Sequence, residues 1–528
     1  MSTTTNKGFG WRAVAFNAGA AANAHSDLSA VRRAAILFGF LCSIALFYVF
    51  TYNSGYGYDA LEYLVIGRAL SQGQAFYALI PSKSPGIYYV LATFFLSGLP
   101  RNHYTVSAVV TVFFAATVTG TWCVVRRYFG YGIVLMSTLL VAACAVFMEM
   151  NFLEPESAVF ISGLAAFVLV LRSLGTGKLL TLFAAGFCLA VGFQFKSVAA
   201  LYLIGILCFL AFRRRRQGWA LLDFLRVVAP LSTGFIIGSS IPLLIFALAG
   251  KFSEFWTWTI KFPLFSYPSN TLWLDKLYTK LLWFHVLLVV TFACSVVVRS
   301  RRVIWDNSAA VLAFFMGLAS YLALLKTQAS HYCFPGAAFF SIFIAATLLT
   351  CRKKTGNLTL TTKWLAVAAT GALSVLTISI VCYRPKAISR FLEWRNYQDE
   401  ELLGSQVRQE LVPGGKALFV RNGTLLYWVS GVEPATRFIH FDVQTTYFVE
   451  RNPDALLNAI NNHSTSIVEF DPLNPGFEDE GFDDLAKRSS LLAEFTRQLE
   501  KTFRPAEASP TPFHFWVRKT VEGSFVRE

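Results

Sequence analysis

Residues 34–52 have the sequence AAILFGFLCSIALFYVFTY and contain no charged side chain. A helix needs roughly 20 apolar residues to cross a bilayer, so this stretch is long enough to span one. It is also too long for a removable signal peptide and lacks the small-residue cleavage site of one. The sequence therefore predicts a membrane span, preceded by a cytoplasmic tail over residues 1–33.

The same pattern recurs along the chain. By the same criterion the sequence predicts eleven spans, near residues 34–52, 104–125, 131–150, 157–172, 178–195, 197–212, 227–248, 280–298, 307–325, 333–350 and 363–382. Of the 528 residues, 55% are hydrophobic and only 15% are charged, whereas soluble domains carry about 25% charged residues. This composition excludes a water-soluble globular enzyme and predicts a polytopic α-helical membrane protein.

The basic residues indicate how the chain is oriented. Lys and Arg in short loops stay on the cytoplasmic side of a membrane. The clusters that fall in alternate connections are Arg32–Arg33, Arg126–Arg127, Arg172 with Lys178, Arg213–Arg216, Arg299–Arg302 and Arg352–Lys354. We therefore expect a multi-pass protein of the cytoplasmic (inner) membrane with a cytoplasmic N-terminus. The net charge of +15 is then explained by topology and by contact with anionic membrane lipids, and it indicates no nucleic acid partner.

Two regions depart from the repeated spans. Ile87–Leu99 is apolar but too short to cross, so we interpret it as a re-entrant or interfacial helix. It lies in a long first outer loop, residues 53–103, of a transmembrane domain over residues 34–383. After Tyr383, short apolar runs alternate with helical patterns, which predicts an extracytoplasmic α/β domain over residues 384–528. Its expected strands lie near residues 417–420, 438–441, 466–470 and 513–517, and its helices near 395–410, 453–462 and 482–502.

Acidic residues at the predicted membrane surface are candidate site residues, because ionisable groups beside a bilayer need partners. Asp59 opens an expected amphipathic helix. With Glu62 it has the spacing of a capping box, so a structural role competes with that of a general base. Glu154 and Glu156 lie at the start of a span. The helix dipole explains Glu156, whereas Glu is not a preferred N-cap residue, so Glu154 is the better functional candidate.

Three basic residues fall on the same predicted outer side. Lys83 precedes Ser84 and Pro85, which we expect at the N-cap and in the first turn of the next helix. A cation there opposes the helix dipole unless an anion such as a phosphate lies between them. The alternative is a lysine that reaches for lipid headgroups, and this is also the preferred local interpretation of Lys196. His331 on its own is weak evidence for a site.

The order of these residues resembles that of the GT-C superfamily of membrane glycosyltransferases, in the protein O-mannosyltransferase/ArnT-like branch. The matching residues in the first outer loop are Asp59, Tyr63, Arg68-Ala69-Leu70, Gly73, Tyr77 and Lys83-Ser84-Pro85-Gly86-Ile87-Tyr88-Tyr89. Further matches are Asn151-Phe152-Leu153-Glu154-Pro155, Phe195-Lys196-Ser197 and His331-Tyr332-Cys333-Phe334-Pro335. The chain departs from the branch at Ala60, where many relatives have Glu.

The resemblance implies an inverting glycosyltransferase. It would take a sugar from a polyprenyl-phosphate carrier and transfer it to an acceptor at the outer face of the membrane. The acceptor would be lipid A or lipopolysaccharide, another glycan, or a protein. Asp59 would activate the acceptor as a base, and Glu154 would position the acceptor or the sugar. The residues that would bind substrate are Lys83, Glu62, Tyr63, Glu156, Lys196, His331 and Tyr332.

Two other classes of function remain open: a transporter or flippase of polyprenyl lipids or glycolipids, and a non-catalytic lipid-binding assembly factor. Transporters usually place ionisable groups near the bilayer midplane on broken helices, whereas the candidates here fall at the predicted outer rim. The sequence requires no cofactor. It also has no cluster of metal ligands that requires an ion, although a bound divalent cation is compatible with it.

Overall fold

The computed structural model describes residues 30–54, 58–81, 83–100, 102–150, 152–266, 284–293, 295–296, 301–325, 330–354, 395–420, 423–439, 443–472, 485–507 and 513–519. The chain divides into two compact units. The first is drawn from Met1–Gly55, Val106–Phe246 and Ser269–Ile388, and the second from Tyr56–Thr105, Ala247–Pro268 and Ser389–Glu528.

The first unit is helical. Its helices are Ala30–Ser54, His103–Val125, Tyr131–Phe147, Glu156–Thr176, Leu179–Phe195, Ala199–Gln217, Leu221–Leu248, Phe284–Ala293, Arg301–Asp306, Ser308–Ser320 and Phe334–Lys354, with 3-10 turns at Tyr321–Leu325 and Ser330–Cys333. Within the described ranges, five helical segments are long and apolar enough to cross a membrane: His103–Val125, Glu156–Thr176, Leu221–Leu248, Ser308–Leu325 and His331–Leu348. The predicted span at 363–382 lies outside the described residues, and each other predicted span overlaps a helix.

Small residues allow two of these helices to pack backbone against backbone. A Cβ atom added to Gly186 would overlap the carbonyl oxygen of Leu231, and one added to Gly234 would overlap the carbonyl oxygen of Phe183. The Leu179–Phe195 and Leu221–Leu248 helices therefore come into close contact at Gly186 and Gly234, which have no side chain. This is the usual way in which membrane helices gain contact, since lipid gives them little hydrophobic reason to associate.

The second unit combines helices with one small sheet. Its helices are Tyr58–Ser71, Gly86–Leu96, Phe252–Phe255 continuing as the π-helix Trp256–Ser266, Arg395–Gln409, Gly423–Ser430, Val443–Arg451, Pro453–Asn461 and Leu485–Thr502. Its strands are β1 (Lys416–Phe419), β2 (Thr465–Glu469), β3 (Phe503–Pro505) and β4 (Phe515–Arg518), in the order β1-β2-β4-β3. β1 and β2 are parallel, and the other two pairs are antiparallel. The predicted α/β composition of the C-terminal region is confirmed.

Two details of the sequence-based expectations are wrong. Phe438 and Ile439 are buried but do not form a strand, and residues 440–441 of that expected strand lie outside the described residues. The Tyr58–Ser71 helix is not amphipathic, because nearly every side chain from Ala60 to Ala69 is buried. The short apolar helix is present as Gly86–Leu96, and its 11 residues span only about 16 Å at 1.5 Å per residue, about half of a bilayer core.

Candidate active site

Asp59 and Lys83 form an ion pair in the second unit. Lys83 Nζ lies 2.9 Å from Asp59 Oδ2, and the two side chains are 17% and 26% exposed respectively. Asp59 lies in the first turn of its helix, where the helix dipole favours a carboxylate. Lys83 lies just before the Gly86–Leu96 helix, where its charge opposes the dipole, and Asp59 offsets that cost.

The helix starts differ slightly from the expected ones. The first helix begins at Tyr58, so Asp59 is inside its first turn rather than at the N-cap. In the second, Pro85 rather than Ser84 occupies the N-cap position, and no side chain caps it. Asp59 therefore does not occupy the N-cap that the capping-box interpretation expects, and its carboxylate is stabilised by the helix dipole and by Lys83 instead.

A buried network lies beneath this pair. The Tyr88 hydroxyl donates a hydrogen bond of 2.5 Å to Glu62 Oε1 and accepts one of 3.2 Å from the backbone N–H of Lys83. The Tyr63 hydroxyl lies 3.4 Å from Asp59 Oδ2. Glu62, Tyr63 and Tyr88 are fully buried. Burial and the adjacent Glu62 carboxylate raise the pKa of Tyr88 well above its usual value, so the phenol stays protonated and can donate.

A strained turn connects Asp59 to Lys83. Tyr77 has a φ of 66°, in the left-handed region that non-glycine residues rarely adopt. The Arg437 guanidinium donates to the Tyr77 carbonyl at 2.9 Å, and the Arg437 carbonyl accepts from the Ile80 N–H at 2.7 Å. Such strain costs about 1–3 kcal/mol and persists only where neighbouring groups enforce it. The C-terminal part of the unit therefore fixes the segment that carries Lys83.

Arg68 gives the Asp59 helix a second anchor. Its buried guanidinium donates to the carbonyls of Tyr427 and Trp428 at 2.7 and 3.1 Å, and it lies 5.9 Å from the centre of the Trp428 ring. These carbonyls belong to the last turn of the Gly423–Ser430 helix, where a cation is favoured by the dipole. The sequence did not predict this role for Arg68, although a basic residue within an apolar helix indicates that the side chain has a buried partner.

The first unit contains a second charged cluster. Lys196 Nζ donates to Glu156 Oε1 and lies 3.6 Å from the centre of the Tyr332 ring. His331 lies 3.9 Å from the same carboxylate oxygen and 3.8 Å from Glu149 Oε2. Glu156 is fully buried and Lys196 is 5% exposed. Lys196 is therefore a buried partner of Glu156 and not an anchor to lipid headgroups.

Glu149 belongs to this cluster and was missed from the sequence. It follows the Tyr131–Phe147 helix with a φ of 66°, in the place where glycine usually ends a helix. The Met150 N–H bonds back to the Ala145 carbonyl at 2.9 Å, as expected for that helix ending. A glutamate in this conformation is strained, and strain of this kind is concentrated at functional sites.

Three side chains of the cluster could hold a metal ion. Glu154, Glu156 and His331 each offer a ligand atom, and these atoms lie within 4.8 Å of one another. Two carboxylates and an imidazole suit a divalent cation. Lys196 already neutralises Glu156, however, so the buried charges have partners without an ion. Among the described residues the donor set therefore permits a divalent cation but does not demand one.

The predicted site residues thus fall into two groups, one in each compact unit. Asp59, Glu62, Tyr63 and Lys83 are together in the second unit, and Glu154, Glu156, Lys196, His331 and Tyr332 are in the first.

The chain is similar to known membrane glycosyltransferases. Residues 82–237 match the family model of dolichyl-phosphate-mannose-protein mannosyltransferases. The fold is similar to that of ArnT from Cupriavidus metallidurans, solved both in the apo state and bound to undecaprenyl phosphate. In each case the TM-score is 0.55 at 13% identity over 92% of this chain and 98% of that chain.

The oligosaccharyltransferase of Archaeoglobus fulgidus is more distant, with a TM-score of 0.46 at 10% identity over 92% of this chain and 75% of that one. A comparison with curated proteins finds no match. In the matched segment and in the shared fold the chain is similar to these glycosyltransferases. The predicted fold class, a polytopic helical membrane protein with a C-terminal α/β domain, is confirmed.

Proposed function

We propose that the protein is an inverting glycosyltransferase that takes its sugar from a polyprenyl-monophosphate carrier. The acceptor is a glycan, a lipid such as lipid A or lipopolysaccharide, or a protein. The observation that carries the proposal is the pair of Asp59 and Lys83, 2.9 Å apart and partly exposed above a fully buried network. A transfer from a phosphate carrier needs one proton acceptor and one cation, and this pair provides both.

In the proposed reaction the acceptor hydroxyl attacks the anomeric carbon of the sugar while Asp59 accepts its proton. The bond between that carbon and the phosphate oxygen breaks, and its electrons leave with the phosphate. Attack on the face opposite the leaving group inverts the configuration. Lys83 stabilises the negative charge that grows on the phosphate. Its ammonium has three N–H donors, so it can hold Asp59 and a phosphate oxygen at the same time.

The buried residues of the second unit act through this pair. We propose that Glu62 and Tyr63 support substrate binding through Asp59 and Lys83. Both side chains are fully buried, and the Tyr63 hydroxyl lies 3.4 Å from Asp59 Oδ2. Through Tyr88, Glu62 fixes the backbone of Lys83. In the first unit, we propose that Glu154 positions the acceptor or sugar and that Glu156, Lys196, His331 and Tyr332 bind substrate. If a divalent cation takes part, Glu154, Glu156 and His331 would hold it.

We propose further that the chain lies in the cytoplasmic membrane with a cytoplasmic N-terminus and an outward-facing C-terminal domain. The support is the distribution of basic clusters, which fall in alternate connections between the apolar segments. A reporter fused after Glu528 should be active outside the cytoplasm and silent inside it. A cytoplasmic signal from that fusion would contradict the orientation.

The function is tested in cells by mass spectrometry of envelope glycolipids, glycans and glycoproteins, with and without the gene. We expect one sugar modification to disappear in the deletion and to return with the wild-type gene but not with Asp59→Asn. Full restoration by Asp59→Asn would instead show that Asp59 is not the base. A deletion profile identical to wild type would contradict the proposal.

Lys83→Ala should raise the donor concentration for half-maximal rate more than it raises the corresponding acceptor concentration. A hydrogen bond to a charged group is worth about 1.5–3 kcal/mol, so the donor concentration for half-maximal rate should rise about tenfold to a hundredfold. Initial rates measured against donor concentration check this.

Lys83→Arg keeps the charge and should lose less activity than Lys83→Ala. Lys178→Ala, which removes an exposed lysine in the first unit, is the matched control and should behave as wild type. An unchanged donor dependence in Lys83→Ala would remove Lys83 from the phosphate site.

A further inference from the structure

A cavity of about 410 Å³ opens within the second unit. Its walls come from Gln74, Ala78 and Leu79, from the 433–438 turn, and from the Val443–Arg451 and Pro453–Asn461 helices. Its volume is within the range of about 300–1,000 Å³ that is usual for sites of small molecules. Neither the proposed proton acceptor nor the proposed phosphate ligand lines it.

The charged residues at this cavity neutralise each other. Lys416 Nζ lies 2.7 Å from Glu433 Oε1, and Arg437 lies 2.8 Å from Glu254 Oε1. Arg437 is further committed to the Tyr77 carbonyl. Lys83 differs, because its partner Asp59 is neutralised when it accepts the proton, whereas these two cations stay paired with charged carboxylates and give an anion little net attraction. The cavity is thus unsuited to a phosphate or an acidic sugar.

The remaining lining is uncharged and combines a few polar side chains with apolar and aromatic ones. Gln74, Asn458 and Asn462 bring side-chain amides, each with both a donor and an acceptor. Phe438 and Phe448 lie beside them with ring centres 5.8 Å apart. Asn462 already accepts two bonds from Ser464 on its oxygen, which leaves its N–H donors for a ligand.

This lining matches the chemistry of a neutral sugar. Sugar hydroxyls both donate and accept hydrogen bonds, as side-chain amides do, and the C–H face of a pyranose ring is apolar, as an aromatic wall is. Small-molecule sites combine these two elements: a largely apolar surface and a few placed polar groups. A lipid chain would leave the amides unsatisfied, which costs about 1–3 kcal/mol for each buried group.

The cavity is tied to the segment that carries the proposed chemistry. Gln74, Ala78 and Leu79 lie between Asp59 and Lys83 in the chain. Arg437, which lines the cavity, holds the strained Tyr77 turn of that same segment through two backbone contacts. A ligand in the cavity would therefore contact residues continuous with Asp59 and Lys83.

From this lining we propose that the cavity is a subsite for an uncharged sugar unit of a glycan acceptor. This inference rests on the proposed function and narrows it, because it makes the acceptor a glycan with a neutral sugar near the point of transfer. The donor is the less suitable occupant, since both cations at the cavity stay paired with carboxylates and would not hold its carrier phosphate.

Binding is tested with full-length protein in lipid nanodiscs, because maltoside detergents would themselves present a sugar. Saturation-transfer NMR with N,N′-diacetylchitobiose, lactose and maltose measures contact with neutral sugars, and glucuronate and inorganic phosphate serve as anionic probes. We expect at least one neutral disaccharide to bind and neither anion to compete with it. Asn458→Trp, which fills the cavity from its rim, should weaken this binding about tenfold or more.

Asn461→Trp is the matched control: the same substitution on the same helix, at an exposed residue outside the cavity. It should bind as wild type. Gln74→Leu is a second test that removes an amide without adding bulk, and it should weaken binding too. The inference is overturned if no neutral probe binds, if only the anions bind, or if both cavity variants bind as wild type.

Failure of the subsite and failure of the proposed function are distinguishable. Binding is measured without turnover, so Asp59→Asn protein should still bind the neutral probe. Sugar binding without any donor turnover would contradict the proposed function and leave the subsite standing. Donor turnover without sugar binding would overturn only the subsite.

Discussion

Asp59→Asn protein is expected to fold as wild type and to transfer sugar about 10²–10⁴-fold more slowly, the usual contribution of a general base. Asn has nearly the same shape and can still accept a hydrogen bond from Lys83, but it cannot take a proton from the acceptor. The measurement is the initial rate of sugar transfer from a polyprenyl-phosphate donor, with thermal unfolding measured on the same samples.

The matched control is Asp223→Asn. Asp223 is also in the first turn of a helix and lies 3.8 Å from a basic side chain, that of Arg226. Loss of the Asp223 carboxylate should leave the rate of sugar transfer unchanged, since no substrate is proposed to bind beside it. An Asp59→Asn rate within twofold of wild type, on folded protein, would show that Asp59 is not the base.

Lys196→Met is expected to lower the stability of the protein by about 3–5 kcal/mol, because it leaves the Glu156 carboxylate buried without its strongest partner. The same cost is expected for Glu156→Gln. The double variant Glu156→Gln/Lys196→Met should recover most of the loss, since it removes both charges together. Thermal unfolding in one detergent, compared across the four proteins, measures this.

Lys178→Met is the control for this pair, since it makes the same substitution at an exposed lysine. It should not change the unfolding temperature by a comparable amount. Equal losses that simply add in the double variant would contradict the coupling of Lys196 and Glu156. His331, at 3.9 Å from the same carboxylate oxygen, would then be its main partner.

The apolar helices of the first unit could be predicted from the sequence because the length of a membrane span is a local property. A run of about 20 apolar residues is apparent without knowing what packs against it. The helices at Arg395–Gln409 and Pro453–Asn461 and the strands β1, β2 and β4 were also expected from local patterns. Phe438 and Ile439 were expected in a strand but are not in one, because tertiary contact, not local pattern, decides whether a buried segment joins the sheet.

Only part of the candidate site could be predicted from local sequence patterns. Asp59, Lys83, Glu156 and Lys196 were selected individually, but their pairing depends on contacts across 24 and 40 residues. The first pair also depends on a left-handed turn at Tyr77, which no propensity predicts.

The same limit explains the error about the Tyr58–Ser71 helix. Arg68 of this helix is buried because it binds the end of the Gly423–Ser430 helix, more than 350 residues further along the chain. Glu149 was missed because a glutamate in place of a helix-ending glycine has no sequence signature.

The central claim is tested most directly with purified protein and polyprenyl-monophosphate donors that carry mannose, galacturonic acid or aminoarabinose. The account predicts that one of these donors releases one polyprenyl monophosphate for each sugar transferred, with inverted anomeric configuration, and that Asp59→Asn abolishes most of the release. If folded wild-type protein leaves every donor intact with envelope glycolipids, glycans and proteins present as acceptors, the account is contradicted.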